Sequence, residues 1–188
     1  NASSKLLLNS ITVDNVSTSV DNSLGLDVDA DSTVSSLSVG HTTPVSIASG
    51  KTLSGAITLT AGSIKLGEAG TLATTVAMSG GTTLDADETL TISGALSQSG
   101  AITIDVADGK TLSYSGAALS LGANTLTMSG EGRLSNTNAL LLNNTSSKLL
   151  LDSITVDRVS TSLASLGLDV DDDSTVSSLT VGHTTPVS

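Results

Sequence analysis

The 188-residue chain contains no Cys, no Trp and no Phe, and Tyr114 is its only aromatic residue. Without Cys there is no disulfide framework, an absence compatible with a reducing compartment or with secretion. Without aromatics the core must be built from aliphatic side chains, and the flat platforms on which sugar sites are usually built are missing. Lys and Arg number 7 against 18 Asp and Glu, for a net charge of −11. Too few cations are present to neutralise nucleic-acid phosphates or to hold an anionic membrane surface, so neither is expected as a partner. The longest apolar runs are Leu6–Leu8, Ala139–Leu142 and Leu149–Leu151. They fall far short of the ~20 residues that cross a bilayer, so no membrane insertion is expected within this segment.

What is present is repetition. Residues 3–46 return as residues 146–188, with a handful of differences and one deletion near Ser23. Asn144 therefore opens a second copy of a unit begun at Asn1, a period of 143 residues. That is too long for a single solenoid turn. Residues 1–143 are read as one full long unit and residues 144–188 as the start of the next, continuous with the first and not a separate domain. Because the sequence stops mid-copy, it is read as a window onto a longer tandem array.

A shorter motif recurs inside the long one: apolar-x-apolar, a corner, then Thr-apolar. Its copies are Leu26–Val34, Val45–Leu53, Ile64–Leu72, Thr82–Leu90, Ile104–Leu112 and Leu126–Leu134, spaced about 18–22 residues apart. Such a spacing lies within the range of repeat solenoids. Period-two alternation within each copy is a strand signature, whereas recurrent Gly, Thr and Val disfavour helix. The alternation breaks at Asp31, Gly50, Asp87 and Gly109, residue types that tolerate a bent backbone.

The expected fold is all-β, a parallel β-solenoid, right-handed as parallel crossovers generally are, with seven turns per long unit. One of these is a degenerate turn through Leu140–Val156. Predicted interior columns run Leu26, Val45, Ile64, Ile104, Leu126; Val28, Ile47, Leu66, Leu84, Val106, Met128; and Val34, Leu53, Leu72, Leu90, Leu112, Leu134.

Runs such as GKTLSGAITLTAGSIKLGEAGTL and GAITIDVADGKTLSYSGAALSLGANTLTMSG resemble the parallel β-helix stalks of bacterial surface adhesins, both autotransporter passengers and filamentous-haemagglutinin-type proteins. The resemblance covers most of the chain and is one of texture, without a diagnostic site motif. It implies an extracellular, rod-forming protein at the cell surface or in a secreted filament, with a structural or adhesive role and no functional residue to carry over.

No constellation of residues points to a reaction, and no enzyme is expected. The acidic corners Asp27, Asp29, Asp31 and Asp169, Asp171, Asp173 are the candidates for Ca²⁺. Counted from Asp27, an EF-hand loop would need Gly at Ser32 and Glu at Ser38, so that match fails. The other reading is that these carboxylates solvate the corners and deter sideways aggregation. His41 and His183 have no ligand-spaced partner and read as turn residues. Asp85, Asp87 and Glu88 could supply the carboxylate pair of a polysaccharide-active β-helix enzyme, but near-identical tandem copies suit a spacer better than a catalytic site. N-x-Ser/Thr sequons begin at Asn1, Asn15, Asn143 and Asn144, as expected by chance in a Ser/Thr-rich chain.

The remaining candidates are surfaces. Thr33, Thr52, Thr71, Thr89 and Thr111 each precede a buried position and are expected to form an outward ladder. Such a row resembles the surface of solenoid ice-binding proteins, although Thr is also simply favoured on exposed strands. Leu7, Leu141 and Leu150 each stand between two inward leucines and are expected to point out as lateral contacts. The partners expected are further copies of the chain, end to end and side by side.

Overall fold

The computed structural model is all-β and describes residues 5–18, 25–40, 44–60, 62–162, 164–165, 167–182 and 186–188. The first rung contributes β1 (Lys5–Leu8) and β2 (Thr12–Ser17), the second β3 (Gly25–Val28) and β4 (Ser32–Val39). The third holds β5 (Pro44–Ile47) and β6 (Thr52–Leu59), the fourth β7 (Ser63–Gly67) and β8 (Thr71–Met78). From the fifth rung onward the second strand is divided. There β9 (Thr83–Ala86) is followed by β10 (Leu90–Ile92) and β11 (Leu96–Gln98), and β12 (Ile102–Val106) by β13 (Thr111–Tyr114) and β14 (Leu119–Ser120). The seventh rung has β15 (Thr125–Ser129), β16 (Arg133–Asn136) and β17 (Leu140–Leu142). The two-strand form returns with β18 (Lys148–Asp152) and β19 (Thr155–Thr161), then β20 (Gly167–Asp171) and β21 (Thr175–Val181).

Stacking the rungs produces two sheets. A narrow sheet of nine strands runs β1-β3-β5-β7-β9-β12-β15-β18-β20. A wide sheet of twelve strands takes all the others. Neighbouring strands are parallel throughout, for example Leu6 beside Leu26 and Leu53 beside Leu72. The expected parallel β-solenoid is thus the observed one.

The strands form because alternation suits a sheet with one dry face. In β12, Ile102, Ile104 and Val106 are buried while Thr103 and Asp105 point outward. The inward residues of both sheets meet in one aliphatic cluster. Each fully buried Leu or Ile contributes roughly 1.5–3 kcal/mol of transfer free energy. The corners fall where the alternation breaks. Gly50 and Gly109 there have φ of 70° and 66°.

The register departs from the expected columns. Leu26 stacks on Val45 as predicted, but Val45 continues to Leu66, not to Ile64. Ile64 instead begins a column through Leu84, Ile104, Met128 and Leu151. Leu66 pairs with Ala86, and Ile102 pairs with Leu126. In the wide sheet Leu72 pairs with Ile92, while Leu90, Leu112 and Leu134 form a separate column. Leu53, Leu72, Leu90 and Leu112 are all buried, but as two stacks of two. Val34 faces Gly55 because a bulge displaces β4 against β6 between Val34 and Leu37. Each slip in these columns is of two residues, which keeps every side chain on its own face.

Rung length also varies more than the motif spacing suggested. The step is 19 residues from Leu26 to Val45 and 24 from Ile104 to Met128. The turn expected to be degenerate is regular, since Val156 stacks on Leu134 and under Val176.

The divided rungs have a local cause. A Cβ on Gly94 would sit 1.5 Å from the Thr74 carbonyl oxygen. At Gly94 the strand breaks, and Tyr114 fills the adjoining corner from inside, 1% exposed. Its hydroxyl accepts a hydrogen bond from the Leu96 N–H at 3.1 Å and donates to the Ala117 carbonyl at 2.5 Å. Burial pushes this phenol above its ordinary pKa, so it remains a donor.

Candidate functional site

The outward residues of the two sheets differ in kind. In the wide sheet β4, β6, β8, β10, β11, β13 and β14 contain no charged residue. Their outward positions are Ser, Thr and Ala for the most part. In the narrow sheet Lys5, Asp27, Lys65, Asp85, Asp105, Lys148 and Asp169 all lie within strands. The remaining wide-sheet strands do carry charge, Asp14 on β2, Arg133 on β16 and Asp157 with Arg158 on β19, so the uncharged, hydroxyl-rich part of that face spans the rungs from β4 to β14.

The predicted Thr ladder lies on that uncharged part, and all five residues point outward. Thr33 and Thr89 are exposed, while Thr52, Thr71 and Thr111 are half-buried by their neighbours. They do not form a single row. Thr52, Thr71 and Thr91 are in register, whereas Thr33 stands beside Ser54. Thr111 is paired with Arg133, and its N–H donates to Thr89 Oγ1 at 3.2 Å. The two-residue slips that redistribute the interior columns redistribute the outward ones equally.

The acidic corners resolve into capping and pairing. Asp31 Oδ1 accepts the Thr52 N–H of the next rung at 2.8 Å. Asp27 pairs with Lys5, and Asp29 is exposed. In the second copy Asp169 accepts from Ser188 Oγ at 2.9 Å and meets Lys148 at 3.3 Å. These partners, the Ser188 hydrogen bond first, hold its carboxyl below the usual carboxylate range. Asp171 and Asp173 are exposed. Among the described residues no three His, Asp or Glu side chains are grouped so as to hold a metal ion.

Asp85, Asp87 and Glu88 do come together at one corner, each beside a lysine. Lys65 Nζ lies 3.2 Å from a carboxylate oxygen of Asp85 and 3.2 Å from one of Asp87. Glu88 is 2.5 Å from Lys110 Nζ. Burial pushes the Asp85 carboxyl up, and the charges of Asp87 and Asp105 add to this against the pull of Lys65. Asp105, the in-register neighbour of Asp85, accepts a 2.6 Å hydrogen bond from Ser129 Oγ. The arrangement is a charge ladder on a strand surface.

Leu7, Leu141 and Leu150 all occupy outward positions, as the alternation predicts. Leu140, Leu142, Leu149 and Leu151 beside them are buried. They do not form one patch. Leu141 lies in the wide sheet between Ser120 and Ser160. Leu150 lies in the narrow sheet between Thr127 and Asp169. Leu7 occupies the position equivalent to Leu150, beside Asp27, and is 54% exposed. Leu141 and Leu150 thus lie on different faces, because the chain turns from one sheet to the other between β17 and β18.

His41, His183 and Asn1 lie outside the described residues. Of the other sequons, Asn15 is exposed on β2, Asn143 Oδ1 accepts the Gly122 N–H at 3.0 Å, and Asn144 Oδ1 accepts the Ser146 N–H at 2.9 Å.

Sequence reasoning missed one polar residue of consequence. Asn136 is 2% exposed at an inward position of β16. Its Nδ2 donates to the Arg158 carbonyl at 2.7 Å, and its Oδ1 accepts the Arg158 N–H at 3.1 Å. The signal was available, since an Asn two residues after Leu134 breaks the apolar parity of that strand.

Comparison with protein-family models, with curated proteins and with solved structures found no match for this chain.

Proposed function

We propose that the chain is a repeat segment of a long extracellular fibre or adhesin stalk, acting as a stiff spacer with a mechanical, non-catalytic role. The observation that carries this reading is the passage from one long unit to the next. The second copy enters both sheets without a break: Leu126 stacks on Leu149, Leu134 on Val156 and Leu140 on Val159. Adding a unit therefore adds length and alters nothing else, as a quasi-one-dimensional repeat allows. The resemblance to adhesin stalk repeats agrees with this and supplies the extracellular setting.

Seven strand-to-strand steps along the narrow sheet lead from β1 to its copy β18. At the ~4.8 Å spacing of strands, one unit lengthens the rod by about 34 Å. The test is to extend the chain by one, two and three further 143-residue units and to measure particle length by electron microscopy. A straight particle that grows by about 34 Å per unit is expected. Strings of separate beads, or a length that does not follow unit number, would overturn the reading.

A further inference from the structure

Among the described residues the wide sheet is laddered from rung to rung with one exception. All eight residues of β6 pair with β8. The fourth and fifth rungs pair in both halves, β8 with β10 and with β11. The sixth and seventh do the same, β13 with β16 and β14 with β17. Between the fifth and sixth rungs only β10 and β13 pair, from Leu90 with Leu112 to Ile92 with Tyr114. Beyond Tyr114 the ladder stops, since β11 pairs with β8 alone and β14 with β17 alone. Across the same two rungs the narrow sheet is unbroken, with β9 paired to β12 from Thr83–Thr103 to Ala86–Val106.

The cause is a single residue. Leu90, Leu112 and Leu134 stack on one another. Leu96 follows Leu90 by six residues and Leu140 follows Leu134 by six, but Leu119 follows Leu112 by seven. The sixth rung reads Gly116-Ala117-Ala118-Leu119 where the fifth reads Gly94-Ala95-Leu96. Gly116 is still pressed against the fifth rung, for a Cβ there would lie 2.2 Å from the Gly94 carbonyl oxygen. The surplus Ala has to bulge between Gly116 and Leu119, and a bulge disrupts the ladder beside it.

Side chains close the gap instead. The Tyr114 hydroxyl relays the Leu96 N–H, at 3.1 Å, to the Ala117 carbonyl, at 2.5 Å. Gln98 Nε2 donates to the Leu121 carbonyl at 3.0 Å, while its Oε1 is buried without a partner. Closure of this kind immobilises flexible side chains and leaves an acceptor unpaired, costs that a direct ladder does not carry. Leu96, 7% exposed, is also the most exposed member of the aliphatic core.

We propose that the contact between β11 and β14 is a built-in seam, the place where the wide sheet opens first, with the narrow sheet as its pivot. Opening breaks the Tyr114 and Gln98 bridges and tilts the sixth rung away from the fifth. The stack then bends toward the narrow sheet. Reclosure needs only those two side chains to return, because β9 stays paired with β12 and β10 with β13. A stack that is straight at rest thereby gains one preferred direction of bending.

The test is amide hydrogen exchange on the full chain at three sites. Leu96 reports the seam. Val76, which donates to the Ala95 carbonyl at 2.8 Å, reports the ladder on the other side of the fifth rung. Thr103, which donates to the Thr82 carbonyl at 3.0 Å, reports the pivot. Once corrected for intrinsic rates, Leu96 is expected to exchange at least about tenfold faster than Val76 and Thr103, as for a local opening. Deleting Ala117 equalises the rungs, so Leu96 should slow to the rate of Val76. Gln98→Ala keeps the rung length and should speed Leu96 by about threefold to tenfold, the worth of one hydrogen bond, with Val76 and Thr103 unchanged. This second variant decides the matter if the deletion fails to fold. Leu96 as slow as Val76 in the unaltered chain would overturn the seam. So would a folded deletion variant in which Leu96 stays fast, or a Gln98→Ala variant in which all three sites speed up together.

Discussion

At the scale of single residues, the outer surface of the narrow sheet is an electrostatic ladder with one weak point. Asp85 sits between Asp105 on the next strand and Asp87 at its own corner, with Lys65 alone to offset them. Burial is the main reason that its carboxyl is raised, and the neighbouring carboxylates add to it. A raised carboxyl pKa means that the folded chain holds this proton more tightly than the unfolded chain does. Stability associated with Asp85 therefore falls as pH rises from the ordinary carboxylate range through its folded pKa, and is lowest above it. Asp85→Asn removes that dependence and leaves Lys65 paired with Asp87. The melting temperature of the variant relative to the parent should be higher at neutral pH than at acidic pH. A difference independent of pH, or one that grows on acidification, would show that Asp85 is not strained. By contrast Asp31, read from sequence as a solvated corner, has a structural task in capping the Thr52 amide.

At the scale of elements, the divided strands of the wide sheet are held by side chains that reach main chain on another rung. Tyr114 braces the corner between β13 and β14, and Asn136 clamps β16 to β19. Asn138 repeats the device, donating from Nδ2 to the Gly116 carbonyl at 2.8 Å. These contacts compensate for ladder hydrogen bonds that the break in the strand removes. Asn136→Leu preserves volume and apolar parity but leaves the Arg158 N–H and carbonyl without their side-chain partner. It should destabilise the chain by about 1–3 kcal/mol, the cost of a buried unsatisfied polar group. Chemical denaturation measures this directly, and a stabilised variant would show that the clamp is dispensable. Opening should be local, with faster amide exchange in β16 and β19 before β6 and β8 respond.

At the scale of the whole molecule, the stacked rungs present a charged narrow face and a hydroxyl-rich wide face whose described strands carry charge only at Asp14, Arg133, Asp157 and Arg158. The six described ion pairs each link successive rungs, as Lys110 with Glu88 and Arg133 with Asp157 do. Exposed pairs of this kind contribute little individually, about 0–1 kcal/mol. Cohesion comes instead from the continuous aliphatic core and the parallel ladders. Because Leu141 and Leu150 lie on different sheets, they act separately. Leu141→Ser and Leu150→Ser should each leave the fold intact, and their effects on stability should add within about 0.5 kcal/mol. A double-mutant cycle on denaturation midpoints checks this, and a larger coupling would mean that the two leucines share a contact.

The amino-acid sequence determined the fold class, the content of the core and the face on which each side chain lies. Period-two alternation specifies a face locally, and aliphatic residues without aromatics require many stacked rungs to bury it. Thus Leu53, Leu72, Leu90 and Leu112 were legible as interior, and Leu7, Leu141 and Leu150 as outward. Which residue stacks on which was decided only by the tertiary structure. A slip of two residues preserves the face, so nothing in the alternation opposes it. The bulge after Val34 and the unequal corners before Leu90 and Leu112 set the register instead. The same slips broke the Thr rows, and the turn between β17 and β18 sent Leu141 and Leu150 to opposite sheets. The Asn136 clamp depended on a rung one turn away in space and 22 residues away in sequence. Local pattern carries information about side-chain direction, whereas register and partnership are properties of rungs that meet only once the chain has coiled.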